Sequence, residues 1–202
     1  MPITKPLSSK VRAPQRANGI RRRETILNAA AAIISEAGIA GLTLHATARR
    51  AKSSIGSMYH FFSDKDELLE TLREKHRTCM NDMMENVVAI NTGEWQKMSA
   101  SEVIESLFGK PIRYYSANPF ALELHQIHEG QAVDTFLELL ESVITLRLGE
   151  LRGQKVAKVL YAISTGTLSF ALDVRDTRQR PIITEIPYVL EAYLASQEAI
   201  DE

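Results

Sequence analysis

Thr43-Leu44-His45-Ala46-Thr47-Ala48-Arg49-Arg50-Ala51-Lys52-Ser53-Ser54-Ile55-Gly56-Ser57-Met58-Tyr59-His60-Phe61-Phe62 decides the fold. Thr43 is placed to cap a short helix through Ala51, and Ser54 to cap the next. Only Lys52 and Ser53 lie between the two. A helix that close behind another predicts a helix-turn-helix, in which one helix crosses the DNA backbone and the second enters the major groove. A Ser54 cap also leaves backbone N–H groups and a positive dipole end to face phosphate. Ser57, Tyr59, His60 and Lys65 can donate to phosphates or base edges without being buried, while Arg49 and Arg50 add charge. Ile55 is open to two uses, sealing the helix pair or meeting a thymine methyl. Tyr59 could equally be a half-buried ring, and Met58 and Phe62 follow the core period.

Upstream, Ile26, Ala30, Ile33 and Ala37 recur at helical spacing and Gly38 supplies a stop. Asn18-Gly19 is a hairpin-type dipeptide with no alternating strands beside it. Downstream, Ser63-Asp64-Lys65-Asp66 reads as a capping box opening a long helix. Its stripe is Leu69, Leu72, His76, Met80, Met83, Val87 and Ile90, and Thr92-Gly93 is expected to end it. Ser99 to Glu102 is another capping box, and Pro111 predicts a kink or break just before it. Asn118-Pro119 reads as a helix start, and Gly130 as the separator before a helix over residues 133–148. Two further stripes follow, Val156-Leu160-Ile163-Thr167-Phe170 and Ile186-Val189-Leu190-Tyr193. They offer more apolar surface than a small monomer leaves bare, which predicts a two-fold dimer through the last two long helices. The chain is therefore expected to be all α.

Charge supports that division. The net charge of the 202 residues is −1. Residues 1–78 nevertheless hold 14 Lys/Arg against 7 Asp/Glu, and residues 79–202 hold 10 against 18. A basic half that meets an anion is implied. Arg12, Arg16 and Arg21 to Arg23 are expected to neutralise phosphates. The organisation expected is a basic flexible arm (1–20), a helix-turn-helix domain (21–68) and a helical domain (69–202). The longest apolar run, Ala29 to Ile34, is too short for a membrane span, and the single cysteine, Cys79, suits a reducing, cytoplasmic setting as a buried inert thiol rather than a redox switch. His125 and His128 share a helical face but lack further metal ligands, so a polar contact or simple exposure is preferred. No metal, no cofactor and no catalytic residue is expected, because nucleophile motifs and glycine-rich phosphate loops are missing.

Arg22-Arg23, Ile26-Leu27, Ala29-Ala30, Glu36, Gly38, Thr43, Ala48, Ala51, Ser54, Gly56, Tyr59, Phe62, Lys65 and Leu68-Leu69 together resemble the N-terminal signature of the tetracycline-repressor (TetR) family. The likeness covers about a quarter of the chain. It departs at Lys52, where the turn usually has glycine, at Ser53 and Thr47, which replace apolar residues, and at Phe61, with His60 one place early. Lys52 is expected to need a left-handed backbone. The resemblance implies a homodimeric repressor on double-stranded operator DNA, with phosphate contacts from Thr43, Ser57, Tyr59 and Lys65 and base contacts near Ile55. It also implies a small, largely apolar ligand in the C-terminal domain, for which Met83, Tyr114, His125 and His128 are the candidates. The alternatives are an all-helical small-molecule enzyme and a ligand-binding module with a vestigial helix-turn-helix.

Overall fold

The structure is a computed structural model that describes residues 13–125, 131–173 and 182–201. Among these, eleven α-helices and no strands occur, and the chain divides into residues 1–72 and 73–202. The chain is all α, with an N-terminal helix-turn-helix and a C-terminal helical part.

The first unit holds α1 (Ala13–Ala37), α2 (Leu44–Arg50), α3 (Ile55–Phe61) and the first turns of α4 (Lys65–Val88). α1 starts at Ala13, inside the stretch expected as arm, and Asn18-Gly19 is helical. Ile26, Leu27, Ala30, Ile34, Leu42, Met58, Phe62, Leu68 and Leu72 are all buried, in a unit where α1 packs on α2 and α2 on α3. Thr47 is fully buried, and its hydroxyl donates to the Thr43 carbonyl at 2.8 Å. With its polar group satisfied one turn back, it fills a core position as a branched apolar residue would.

The turn between α2 and α3 explains Lys52. Ser53 N–H donates to Ala48 O at 2.9 Å and Lys52 N–H to Arg49 O at 3.3 Å, the paired bonds of a Schellman ending. That ending requires a left-handed residue after the cap, and Lys52 takes it at φ 49°. A side chain there costs about 1–2 kcal/mol, of which the greater unfolded freedom of glycine would return roughly half. Lys52→Gly is thus expected to stabilise the first unit by roughly 0.5–1 kcal/mol in urea melts. A loss of stability would mean that the lysine side chain holds the turn.

At α4 the expected cap is displaced by one residue. Asp64, not Ser63, accepts from Glu67 N–H (2.8 Å), while the Glu67 carboxylate accepts from Ser63 N–H (2.6 Å). α4 also stops earlier than expected. Thr92-Gly93 opens α5 (Thr92–Lys97) instead of ending α4, because Asn91 and Glu94 form a full capping box.

The second unit continues with α6 (Ala100–Ile104), capped by the Ser99–Glu102 box, a π-turn over Glu105–Gly109, and α7 (Lys110–Ala117). The widened turn directly precedes Pro111, whose missing N–H cannot continue the α ladder. α8 (Pro119–His125) begins at its proline, although Asn118 does not cap it as expected. Its amide donates back to Tyr114 O at 2.9 Å and closes α7 instead. Gly130 lies outside the described residues.

α9 (Gln131–Leu148) and α10 (Glu150–Asp173) form an antiparallel pair joined by Gly149 alone, whose φ of 77° suits a residue without a Cβ. α11 (Ile186–Glu198) packs on α10 and α6. Val143, Ile144, Val156, Leu160, Ile186, Leu190 and Leu194 line the shared core, with Phe108 edge-on to Phe136 at 5.4 Å. Arg147 of α9 donates to Trp95 O at 2.5 Å and pairs with Glu198, tying three helices together. One expectation fails here. Val156, Leu160, Ile186 and Leu190 were expected on the dimer face, but they are consumed by the unit's own core. Of the two stripes, Phe170 and Val189 remain exposed, as do Leu151 and Tyr188 on the same helices.

Candidate nucleic-acid interface

Each end of the helix-turn-helix is fixed by a short polar side chain. Thr43 Oγ1 accepts from Ala46 N–H at 3.0 Å and Ser54 Oγ from Ser57 N–H at 3.2 Å. Both residues sit at extended backbone angles, as caps do. Across α3, Met58 alone is buried and so marks the inward face of the helix. Gly56, Tyr59 and His60 are exposed, and Ile55 and Ser57 half-buried. Tyr59 is 54% exposed, and its hydroxyl has no partner among the described residues. An exposed ring with an unengaged hydroxyl can offer both stacking area and a hydrogen bond to an outside partner.

Lys65 is less free than expected. Its Nζ donates to the Ile39 carbonyl at 2.9 Å, so it supports the bend that follows α1. Two donor positions of the ammonium remain for another acceptor. His60 stands edge-on to Phe61 at 5.3 Å. Glu36 and Arg50 bridge α1 to the end of α2 through two hydrogen bonds of 2.6 and 2.7 Å, which lower the Glu36 carboxyl below its usual range. Arg50 is therefore engaged within the unit, and Arg49, also exposed, lies beside it on α2.

The ligand candidates belong to the second unit. Met83 is half-buried on α4, and Met80 and Met84 pack against the core. Tyr114 is half-buried and stacks on His76, with ring centroids 5.6 Å apart and Oη 3.2 Å from His76 Nδ1. Burial, and secondarily Cys79, pushes the Tyr114 hydroxyl up to about 12. Cys79 is half-exposed rather than buried, with its thiol raised by desolvation and then by Asp82. His76 was read from the sequence only as one member of an apolar stripe. A lone histidine in such a stripe is the available signal that a polar partner waits opposite. The side chain of His125, and the whole of His128, lie outside the described residues.

Comparison with known proteins bears mainly on the first unit. Residues 26–72 match the family described as bacterial regulatory proteins, tetR family. The HTH-type transcriptional regulator BetI of Burkholderia thailandensis is 37% identical over a stretch covering 37% of this chain. The chain spans 46% of that relative's length. Among solved structures, the fatty acid degradation regulator FadR from Bacillus halodurans aligns at a TM-score of 0.58 and 17% identity. It covers 86% of this chain and 94% of its own. The transcriptional regulator FadR from Bacillus subtilis, solved in complex with stearoyl-CoA, aligns at 0.57 and 18%, covering 85% and 97%. At such identities the likeness is one of fold. The likeness to the tetR family of bacterial regulatory proteins is thus carried by residues 26–72, the segment that forms the helix-turn-helix.

Proposed function

We propose that the protein is a cytoplasmic, sequence-specific transcription regulator, a homodimer that represses from a palindromic operator until a small, largely apolar molecule binds its C-terminal domain. The observation that carries the reading is the solvent-facing side of α3, where Tyr59 and His60 stand exposed while Met58 alone is buried. Thr43, Ser54, Ser57, Tyr59 and Lys65 are the residues for the phosphates, and Ile55 and His60 those nearest the bases. The Schellman turn at Lys52 favours a working motif over a vestigial one, since the departure from glycine leaves the turn bonds intact.

Regulation in this reading runs through α4, which continues from the first unit past Leu72 into the second. A ligand lodged against Met83 and Tyr114 would bias that helix. It can weaken DNA binding only by its differential affinity for the two conformations, about 1–3 kcal/mol, and DNA must weaken ligand binding equally. Support for an apolar ligand comes from a fold neighbour, which was solved with stearoyl-CoA.

The reading is tested by selecting duplexes from a random-sequence pool with the full chain, followed by footprinting on DNA flanking its own gene. An enriched near-palindrome protected in the footprint supports it. Failure to enrich any sequence, combined with turnover of a small molecule, would transfer the chain to the enzymes.

Single substitutions should separate support from contact. Tyr59→Phe removes a hydroxyl with no internal partner, so affinity for the selected duplex should fall a fewfold with no change in melting temperature. Lys65→Ala removes both a cation and the bond to Ile39. It should lower the melting temperature slightly and reduce the slope of log K against log salt by about 1. An unchanged slope would leave Lys65 a purely structural residue.

A further inference from the structure

Two neighbouring arginines of α1, both expected at phosphates, are directed into the unit in different ways. Arg23 lies over the Phe62 ring, 5.3 Å from its centroid, and donates to Thr71 Oγ1 at 3.3 Å, joining α1 to α4. Arg22 reaches toward the turn. Its Nε donates to Ser57 Oγ at 3.0 Å and one terminal nitrogen donates to Ser53 Oγ at 3.1 Å. One planar guanidinium thus holds the turn and α3 together from a helix 31 and 35 residues away in sequence.

The chemistry of this fork is not that of a closed structural pair. Arg22 is exposed and has no carboxylate partner among the described residues, so its charge is held at the surface unneutralised. Each serine oxygen accepts from a cation, which leaves its own proton to donate. Ser53 has the Ser54 carbonyl for that proton, at a long 3.4 Å. Ser57 has no acceptor for its proton among the described residues. A hydroxyl whose oxygen accepts from a charged donor is itself a stronger donor. A cation and a polarised hydroxyl, fixed on each other, suit a singly charged phosphodiester oxygen.

We propose that Arg22 is the positioning residue of the DNA interface: its fork fixes α3 and its turn against α1, and with Ser57 it receives one backbone phosphate. This rests on the DNA-binding reading and adds to it a coupling that neither residue type alone would show. Arginine is required because lysine carries the charge without the planar two-pronged reach.

The test uses the full chain and a fluorescein-labelled form of the selected duplex, titrated by anisotropy across a salt series. Arg22→Ala should weaken binding about tenfold and lower the salt slope by about 1. Arg22→Lys should keep the slope yet recover little of the affinity. Ser57→Ala should weaken binding, and Arg22→Ala/Ser57→Ala should be no weaker than Arg22→Ala alone. Melting temperatures should stay at the wild-type value, since the bonds are exposed. If Arg22→Ala does melt early, the same non-additivity is sought between Arg22→Lys and Ser57→Ala. Additive losses, wild-type affinity in Arg22→Lys, or wild-type affinity in Arg22→Ala would each overturn the coupling while leaving DNA binding intact. Wild-type protein that retrieves no duplex overturns the reading beneath it, and this inference with it.

Discussion

Gly153→Val should destabilise the C-terminal unit by about 3 kcal/mol or more, and Gly153→Ala by a smaller amount of the same sign. A Cβ at this position would lie 2.4 Å from Thr145 Cα and 2.7 Å from Thr145 N. Those are backbone atoms, so no rotamer change relieves the clash. α9 and α10 would have to separate, opening the layer formed by Val143, Ile144, Val156 and Ala157. The sign is the informative part. Glycine to alanine inside a helix ordinarily stabilises by about 1 kcal/mol. Urea denaturation followed by tryptophan emission reads it directly, because Trp95 is buried in the same core. A stabilised Gly153→Ala protein would contradict the close approach of the two helices.

The second large effect concerns assembly. Phe170→Glu combined with Val189→Glu should turn the proposed dimer into a monomer, raising its dissociation constant by more than about 100-fold. On α10, exposed Ala162, Gly166 and Phe170 follow one another at helical spacing. On α11 the exposed apolar and aromatic residues are Tyr188, Val189, Ala192 and Ala195. Small residues beside a few large apolar ones allow helices to approach closely, and α10 packs on α11. In a two-fold interface each substitution occurs twice, so like charges accumulate. Light scattering after gel filtration reports the mass, and operator affinity should fall with it. Folding should not suffer, because Phe170 and Val189 are about half exposed. A double variant that remains a dimer at wild-type strength would move the interface elsewhere.

What the sequence disclosed follows the range of the physical rules. Thr43, Ser54, the Ser99–Glu102 box and the interruption before Pro111 were readable because each depends on a few adjacent residues. Errors arose where two local options competed. Ser63 and Asp64 can both cap, and the chain uses the carboxylate, whose second turn partner Glu67 completes the arrangement. Asn91-Thr92-Gly93-Glu94 contains both a stop signal and a capping box, and the box wins because Asn91 and Glu94 satisfy two backbone donors at once. The buried face of α10 could not be chosen from periodicity, since the helix carries apolar residues on both sides. Tertiary pairs were not legible. His76 meets Tyr114 across 38 residues and Arg22 meets Ser57 across 35, distances over which local pattern carries no information.

The tight connection at Gly149 has a kinematic consequence. α9 and α10 are joined through that one residue, and close to it Gly153 lies against the Thr145 backbone. Sliding one helix along the other would meet that contact first, so any relative motion of the pair would have to be a tilt about the region of Gly149. At a rise of 1.5 Å per residue, the far end of α10 at Asp173 is about 36 Å from the pivot. A tilt of about 5° would then move Asp173 by roughly 3 Å while leaving the pivot packing unchanged. Leu168 and Ala171, buried close to that end, would have to repack for such a tilt while the contact at Gly153 stayed in place.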